Sequence, residues 1–170
     1  VVYLPHAYMP TDGKRPIATH TPSRSEAGLP ENGFVFVCHN ASYKIVPELF
    51  DVWMRLLQKV EGSVLWLKAP NASAMVNLRR EARTRGVAPE RLVFARRMPQ
   101  MQDHLARLRL ADLFLDTLPY NAHSTASDAL WVGLPVLTCA GETYASRAAG
   151  SLHVVAGISH IDCSGRFASQ

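Results

Sequence analysis

The stretch Ala111–Gly133, ADLFLDTLPYNAHSTASDALWVG, decides how the rest of the chain reads. Leu113-Phe114-Leu115 is a short apolar run of the kind that forms a parallel strand buried on both faces. Asp116 to His123 is polar and holds Pro119 and Asn121, which predicts a loop. Ser124 or Thr125 can cap a helix through Val132, and Gly133 with Pro135 stops it. In an open parallel sheet, ligands sit beyond the carboxyl ends of the strands, so this loop and helix start are placed to bind something. A helix N-terminus offers free backbone N–H groups and a positive dipole end, which suit phosphate. His123, Ser124 and Thr125 add side-chain donors there, and Asp128, about one turn on, can accept from sugar hydroxyls. The same residues have a plainer reading. Thr125-x-x-Asp128 is also a capping-box-like pattern, in which both side chains only satisfy backbone donors.

Outward from this stretch the pattern repeats. Phe34–Cys38 is a buried strand followed by the polar loop 39–44. Pro47 suits the first turn of a helix with Leu49, Trp53, Leu56, Leu57 and Val60 along one face, and Gly62 ends it. Val64–Leu67 is the next strand. A helix over Ser73–Arg85 follows, with Ala74, Met75, Leu78 and Ala82 inward and Gly86 closing it. Leu92–Phe94 is a strand, and Met101–Arg109 a helix burying Met101, Leu105 and Leu108. Downstream come a strand at Val136–Thr138 and a helix from Thr143 to about Leu152. Five short strands alternating with helices predict an α/β, Rossmann-like doubly wound parallel sheet. Residues 1–33 hold five prolines among polar residues and read as an extended linker, opening with the end of a strand at Val1–Leu4. The sheet domain is expected over 34–157, and 158–170 is left unassigned.

Composition narrows the class. With 170 residues and 48% hydrophobic content, one ordinary domain with a sizeable core is expected. No run of about eighteen apolar residues occurs, so no membrane partner is expected. The opening VVYLPHAYMPTDGKRP lacks the layout of a signal peptide, and a chain that begins mid-pattern suggests a piece of something larger. Cys38, Cys139 and Cys163 are odd in number and widely spaced, which fits a reducing cytoplasm and argues against a disulfide scaffold. The charge of +4 gives a modest bias toward anionic ligands. Arg79, Arg80, Arg83 and Arg85 lie at helical spacing and read as a solvated face, not a nucleic-acid footprint.

Several signatures are missing: G-x-G-x-x-G, the P-loop, G-x-S-x-G and H-E-x-x-H. The histidines have no strong metal-ligand spacing, and no metal is expected. What remains is a set of polar groups past the ends of different strands. Lys44 can place an ammonium on a phosphate, or be an exposed loop lysine. His104 and Arg107 share a helix face and can meet a base. Alternatively they are solvated, with Asp103 and Arg107 forming an i,i+4 pair. Together a lysine, a helix N-terminus, a carboxylate and an aromatic platform suit a nucleoside diphosphate.

These residues also carry a resemblance. LDTLPYNAHSTASDALWVGLPVLTCAGETYASR resembles the C-terminal lobe of the O-linked N-acetylglucosamine (O-GlcNAc) transferases, including SPINDLY-type bacterial proteins. FVFVCHNASYKI, SVLWLKAP, RLVFARRMPQMQDHLARLRLADLFLDT and the linker RPIATHTPSRSEAGLPENGF resemble the same family, so that the likeness covers roughly residues 1–155 in order. It implies the C-terminal lobe of a GT-B glycosyltransferase that passes N-acetylglucosamine from UDP-GlcNAc to Ser or Thr hydroxyls, with no cofactor and no metal. By the same resemblance Lys44 meets the diphosphate and helps the leaving group depart. His123, Ser124 and Thr125 cradle the phosphates, Asp128 binds ribose hydroxyls, and His104 packs on the uracil. Pro99 and Arg107 fall where the family contacts the base. Acceptor proteins are expected to bind through an N-terminal lobe and tetratricopeptide repeats, so this chain alone is expected to bind UDP weakly and to transfer nothing.

The sequence departs from the family at Ala41, where animal enzymes carry glutamine, and at Met101, where a lysine is expected. Ser124 replaces threonine and keeps the hydroxyl, while ISHIDCSGRFASQ does not follow the family pattern. Two other classes share the architecture: a non-hydrolysing UDP-sugar epimerase, and a degenerate lobe acting as a nucleotide- or protein-binding module.

Overall fold

The computed structural model describes residues 11–157. The expected strand at Val1–Leu4 and the unassigned tail lie outside them. Five strands, β1 (Val35–Cys38), β2 (Val64–Lys68), β3 (Leu92–Ala95), β4 (Leu113–Leu115) and β5 (Val136–Leu137), form one sheet in the order β3-β2-β1-β4-β5. Every pairing is parallel: Val37 stands opposite Trp66 on one side and Phe114 on the other, and Phe114 opposite Val136. The helices are α1 (Pro47–Lys59), α2 (Ala72–Thr84), α3 (Met101–Leu108), α4 (Ser124–Trp131) and α5 (Ala148–Val155). The chain winds from β1 outward to β3, then returns to add β4 and β5 on the other side of β1. The order therefore reverses between β1 and β4, and the crevice for a ligand in such a sheet opens at the carboxyl ends of these two strands.

Strand pleating sorts the core onto two faces. Phe36 and Cys38 pack with Trp53, Met54 and Leu57 of α1 and Ala82 of α2. Val35 and Val37 point the other way, to Leu108 of α3, Ala126 and Ala129 of α4 and Ala149 of α5. The alanines of α4 bring its axis close to Phe114, which is fully buried. Local chemistry sets the ends. Pro47 occupies the first turn of α1, and the Arg91 guanidinium caps its last turn by donating to the carbonyls of Leu57 (2.6 Å) and Val60 (2.9 Å). Asn71 caps α2 by accepting from the Ala74 N–H at 2.8 Å. At Gly33, with φ +113°, a Cβ would lie 2.4 Å from the Gly62 carbonyl oxygen, so the turn before β1 admits no side chain.

Some expectations need correction. Met101 is 56% exposed, because α3 starts at Met101 and its first turn projects past the core, while Leu105 and Leu108 are buried as read. On α2 only Ala82 is fully buried; Ala74, Met75 and Leu78 are half-buried because α2 covers the edge strand β3. The segment after Thr143 is a 3-10 turn, Tyr144–Ser146, closed by a Thr143–Ser146 capping box, and α5 follows. Cys139 is disulfide-bonded, which the reading of the cysteines as fitting a reducing cytoplasm does not anticipate, while Cys38 is a buried free thiol. Residues 11–33 are anchored to the sheet. Leu29 is buried, and Arg24 donates to Asp112 Oδ2 (2.9 Å) and to the carbonyls of Gly33 (2.9 Å) and Leu110 (3.2 Å). No helix of the described residues is long and apolar enough to cross a membrane.

Candidate functional site

The loop after β4 is built on Asp116. One carboxylate oxygen accepts from the Thr117 N–H (2.7 Å) and the Ala122 N–H, and the other from the Thr138 hydroxyl at 2.6 Å. Burial pushes this carboxyl up to about 6, against the pull of those hydrogen bonds and of Lys44. Thr117 donates its hydroxyl to the Tyr120 carbonyl (2.7 Å) and accepts from Asn40 Nδ2 (2.8 Å), while Asn121 Nδ2 donates to the Thr117 carbonyl at 2.9 Å. Asn40 Oδ1 in turn accepts from the Thr125 hydroxyl. The ends of β1 and β4 and the start of α4 are thus one buried network, located at the strand reversal. From the sequence, Asn40, Asp116, Thr117 and Asn121 carry no site role; Asp116 and Asn121 are named there only as loop residues.

The plainer capping-box reading of Thr125 and Asp128 does not describe this helix. His123 stands at the N-cap with no side-chain cap, Thr125 is turned to Asn40, and Asp128 is paired with Arg15. The start of α4 therefore faces the carboxyl edge without a side-chain cap bond from its N-cap residue, among the described residues. Ser124 is exposed there. The His123 ring stacks on Tyr120, 5.3 Å between centroids with 16° between planes. Its pKa is lowered, first by burial and then by the charge of Lys44.

Lys44 ends the 3-10 turn Ser42–Lys44 and is half-buried, which departs from the exposed-lysine alternative. Its ammonium donates to the Asn121 carbonyl at 2.9 Å and lies 3.9 Å from the centre of the Tyr120 ring. Burial lowers its pKa, and Asp116 pulls it back up. The ammonium is therefore anchored beside the loop that leads into α4.

A second group of the expected residues lines a cavity of about 280 Å³. Pro99, His104, Arg107 and Thr125 contribute to its wall with His39 and Lys68. Arg107 is buried, so the solvated pairing with Asp103 gives way to a different set of bonds. Its guanidinium donates to the Arg96 carbonyl and, at 3.0 Å, meets His104 Nδ1. That donor makes Nδ1 an acceptor, and burial with the Arg107 charge lowers the His104 pKa, so the ring is neutral. His39 is buried beneath it, its ring 5.6 Å from His104 and 4.9 Å from Trp66. Burial holds His39 well below the usual histidine range.

Asp128 is 5% exposed and one turn deeper in α4. Arg15, from the segment read as linker, reaches its Oδ1 and lies 3.4 Å from Ser127 Oγ. The eight expected residues thus form two adjoining sets: Lys44, His123 and Ser124 around the α4 start, and Pro99, His104 and Arg107 around the cavity. Thr125 belongs to both, and Asp128 lies behind them. A larger hollow of about 540 Å³, lined by Pro22, Ala27, Trp66 and Phe94, opens at the turn at 22–28 and shares Met98 and Arg107 with the first cavity.

Comparison with known proteins decides the family. The model of glycosyl transferase family 41 matches residues 6–166. The chain belongs to that family. It is similar to the probable UDP-N-acetylglucosamine–peptide N-acetylglucosaminyltransferase SEC of Arabidopsis thaliana, 38% identical over 165 residues, covering 94% of this chain and 17% of the plant protein. A UDP-N-acetylglucosamine–peptide N-acetylglucosaminyltransferase of Caenorhabditis elegans is 38% identical over 129 residues, covering 76% of this chain and 11% of that protein. Among solved structures, the K341M mutant of Thermobaculum terrenum O-GlcNAc transferase superposes with a TM-score of 0.75 at 34% identity, covering 92% of this chain and 29% of that one. The family 41 chain therefore spans less than a third of each of these proteins. Its five-stranded sheet is the Rossmann-like lobe of GT-B type that the resemblance implied.

Proposed function

We propose that this family 41 chain is the donor-binding lobe of a protein O-GlcNAc transferase, which passes N-acetylglucosamine from UDP-GlcNAc to Ser or Thr hydroxyls of acceptor proteins. The observation that carries the reading is the union, at the strand reversal, of an uncapped helix start, an anchored lysine and a cavity walled by a neutral histidine and a buried arginine. In this reading the diphosphate sits at the N-terminus of α4, against the first-turn N–H groups, His123, Ser124 and Thr125, with Lys44 beside it. The base enters the cavity between Pro99, His104 and Arg107, and the ribose hydroxyls meet Asp128. When the glycosidic bond breaks, negative charge gathers on the departing UDP. The Lys44 ammonium and the helix dipole stabilise that charge, and the chemistry needs no metal. Lys44 suits the task because it is held by a carbonyl and a ring face, so little reorganisation is needed as charge develops.

Calorimetric titration of the purified chain with UDP tests the reading, alongside Lys44→Ala and Asp128→Ala. Saturable binding is expected for the wild type, weakened by roughly 1.5–3 kcal/mol in each variant, the worth of one hydrogen bond to a charged group. A folded wild type that binds no UDP, or variants that bind as well as it does, would overturn it.

A further inference from the structure

The contact between Arg15 and Asp128 joins two parts of the chain 113 residues apart. Trp131 Nε1 donates to the Arg15 carbonyl at 3.2 Å, and the guanidinium lies 5.5 Å from the Trp131 ring centre. Three residues later the Ala18 N–H donates to the Gln102 carbonyl on the first turn of α3, at 3.2 Å. Residues 15–18 therefore strap α4 to α3, the two helices whose first turns border the cavity. A carboxylate as buried as Asp128 is costly unless paired, and Arg15 is its ion-pair partner. The pairing is one-sided. Arg15 takes Oδ1, and among the described residues no donor reaches Oδ2.

We propose that Arg15 is a positioning residue for the nucleotide: by fixing Asp128 through Oδ1 it presents Oδ2 as the acceptor for the ribose hydroxyls. The inference rests on the assignment of Asp128 to the ribose made above. It adds that the segment before the sheet belongs to the nucleotide site. A guanidinium bonded to one oxygen holds the carboxylate in a single rotamer, which removes the ordering cost when a diol binds.

The test compares UDP with 2′,3′-dideoxy-UDP, by calorimetry, on the wild-type chain, Asp128→Asn, Arg15→Ala, Arg15→Gln and Arg15→Lys. The wild type is expected to favour UDP by about tenfold or more, the equivalent of one good hydrogen bond. Arg15→Ala lowers UDP affinity by about that factor while 2′,3′-dideoxy-UDP changes little, so the preference collapses; Arg15→Lys restores part of it. A merely structural role would weaken both nucleotides alike and leave the ratio intact. Should Arg15→Ala fail to fold, Arg15→Gln, which keeps the bulk and removes the charge, carries the comparison. Retention of the wild-type ratio in both charge-removing variants overturns the proposal, and so does tighter UDP binding, which would make Arg15 a competitor of the ribose. In either case a ribose preference in the wild type that is lost in Asp128→Asn leaves the site assignment standing. A wild type without UDP binding or without ribose preference overturns both.

Discussion

Replacing Asp116 with asparagine removes a charge from the base of the site while keeping its shape. The amide oxygen can accept from the Thr117 and Ala122 N–H groups as the carboxylate does, and the amide nitrogen can donate to Thr138. The Asp116 pKa is raised from 3.8 to about 6, chiefly by burial. A carboxyl whose folded pKa lies above its unfolded value adds stability below the unfolded pKa and loses it as pH rises through the folded one. The difference of about two units is worth about 3 kcal/mol in full, and about 2 kcal/mol of it falls between about pH 4.5 and about pH 7.5. His39, His104 and His123 act in the opposite sense, since their lowered values make stability fall as pH drops below the ordinary histidine range. The wild-type profile therefore mixes two signs, and the difference between wild type and Asp116→Asn isolates the carboxylate. Urea unfolding followed by tryptophan fluorescence is expected to show the variant gaining about 2 kcal/mol on the wild type over that pH range. Parallel profiles for the two proteins would refute the reasoning. The same substitution removes a charge that raises the Lys44 pKa, so the cost of burying Asp116 is offset in the proposed site by a firmer cation.

Asn40→Ala is expected to cost about 1–3 kcal/mol in urea unfolding and to weaken UDP binding as well, because Asn40 bonds both Thr117 and Thr125 and so ties α4 to β1. Phe114→Ala opens a void at the centre of the sheet and is expected to cost about 3–5 kcal/mol by the same assay, with no selective effect on UDP in whatever fraction stays folded.

Most of the sheet was legible because its strands are short apolar runs set off by Gly and Pro, and β1 to β4 fall within one or two residues of where the pattern puts them. What the pattern does not show is of another kind. Met101 has the right period to be core, but the period does not say how far a helix projects beyond the sheet. The proline-rich segment reads as an extended linker, and no local pattern shows that Leu29 is buried in the domain or that Arg24 and Arg15 bind partners far along the chain. The same limit explains the site. Lys44, His104, His123 and Thr125 stand out by residue type beside strand ends. Asn40, Asp116 and Thr117 look like ordinary loop residues until β1 and β4 are placed side by side, and no local pattern connects Arg15 to Asp128.

The central claim is that a nucleoside diphosphate binds at the start of α4, and amide chemical shifts during a UDP titration test it most directly. The account predicts the largest shifts at Ser124, Thr125 and Ala126, with further shifts at Lys44 and along the cavity wall at His104 and Arg107. Shifts confined to α1 and α2 on the opposite face of the sheet, or saturable binding that leaves the first turn of α4 unmoved, would contradict it.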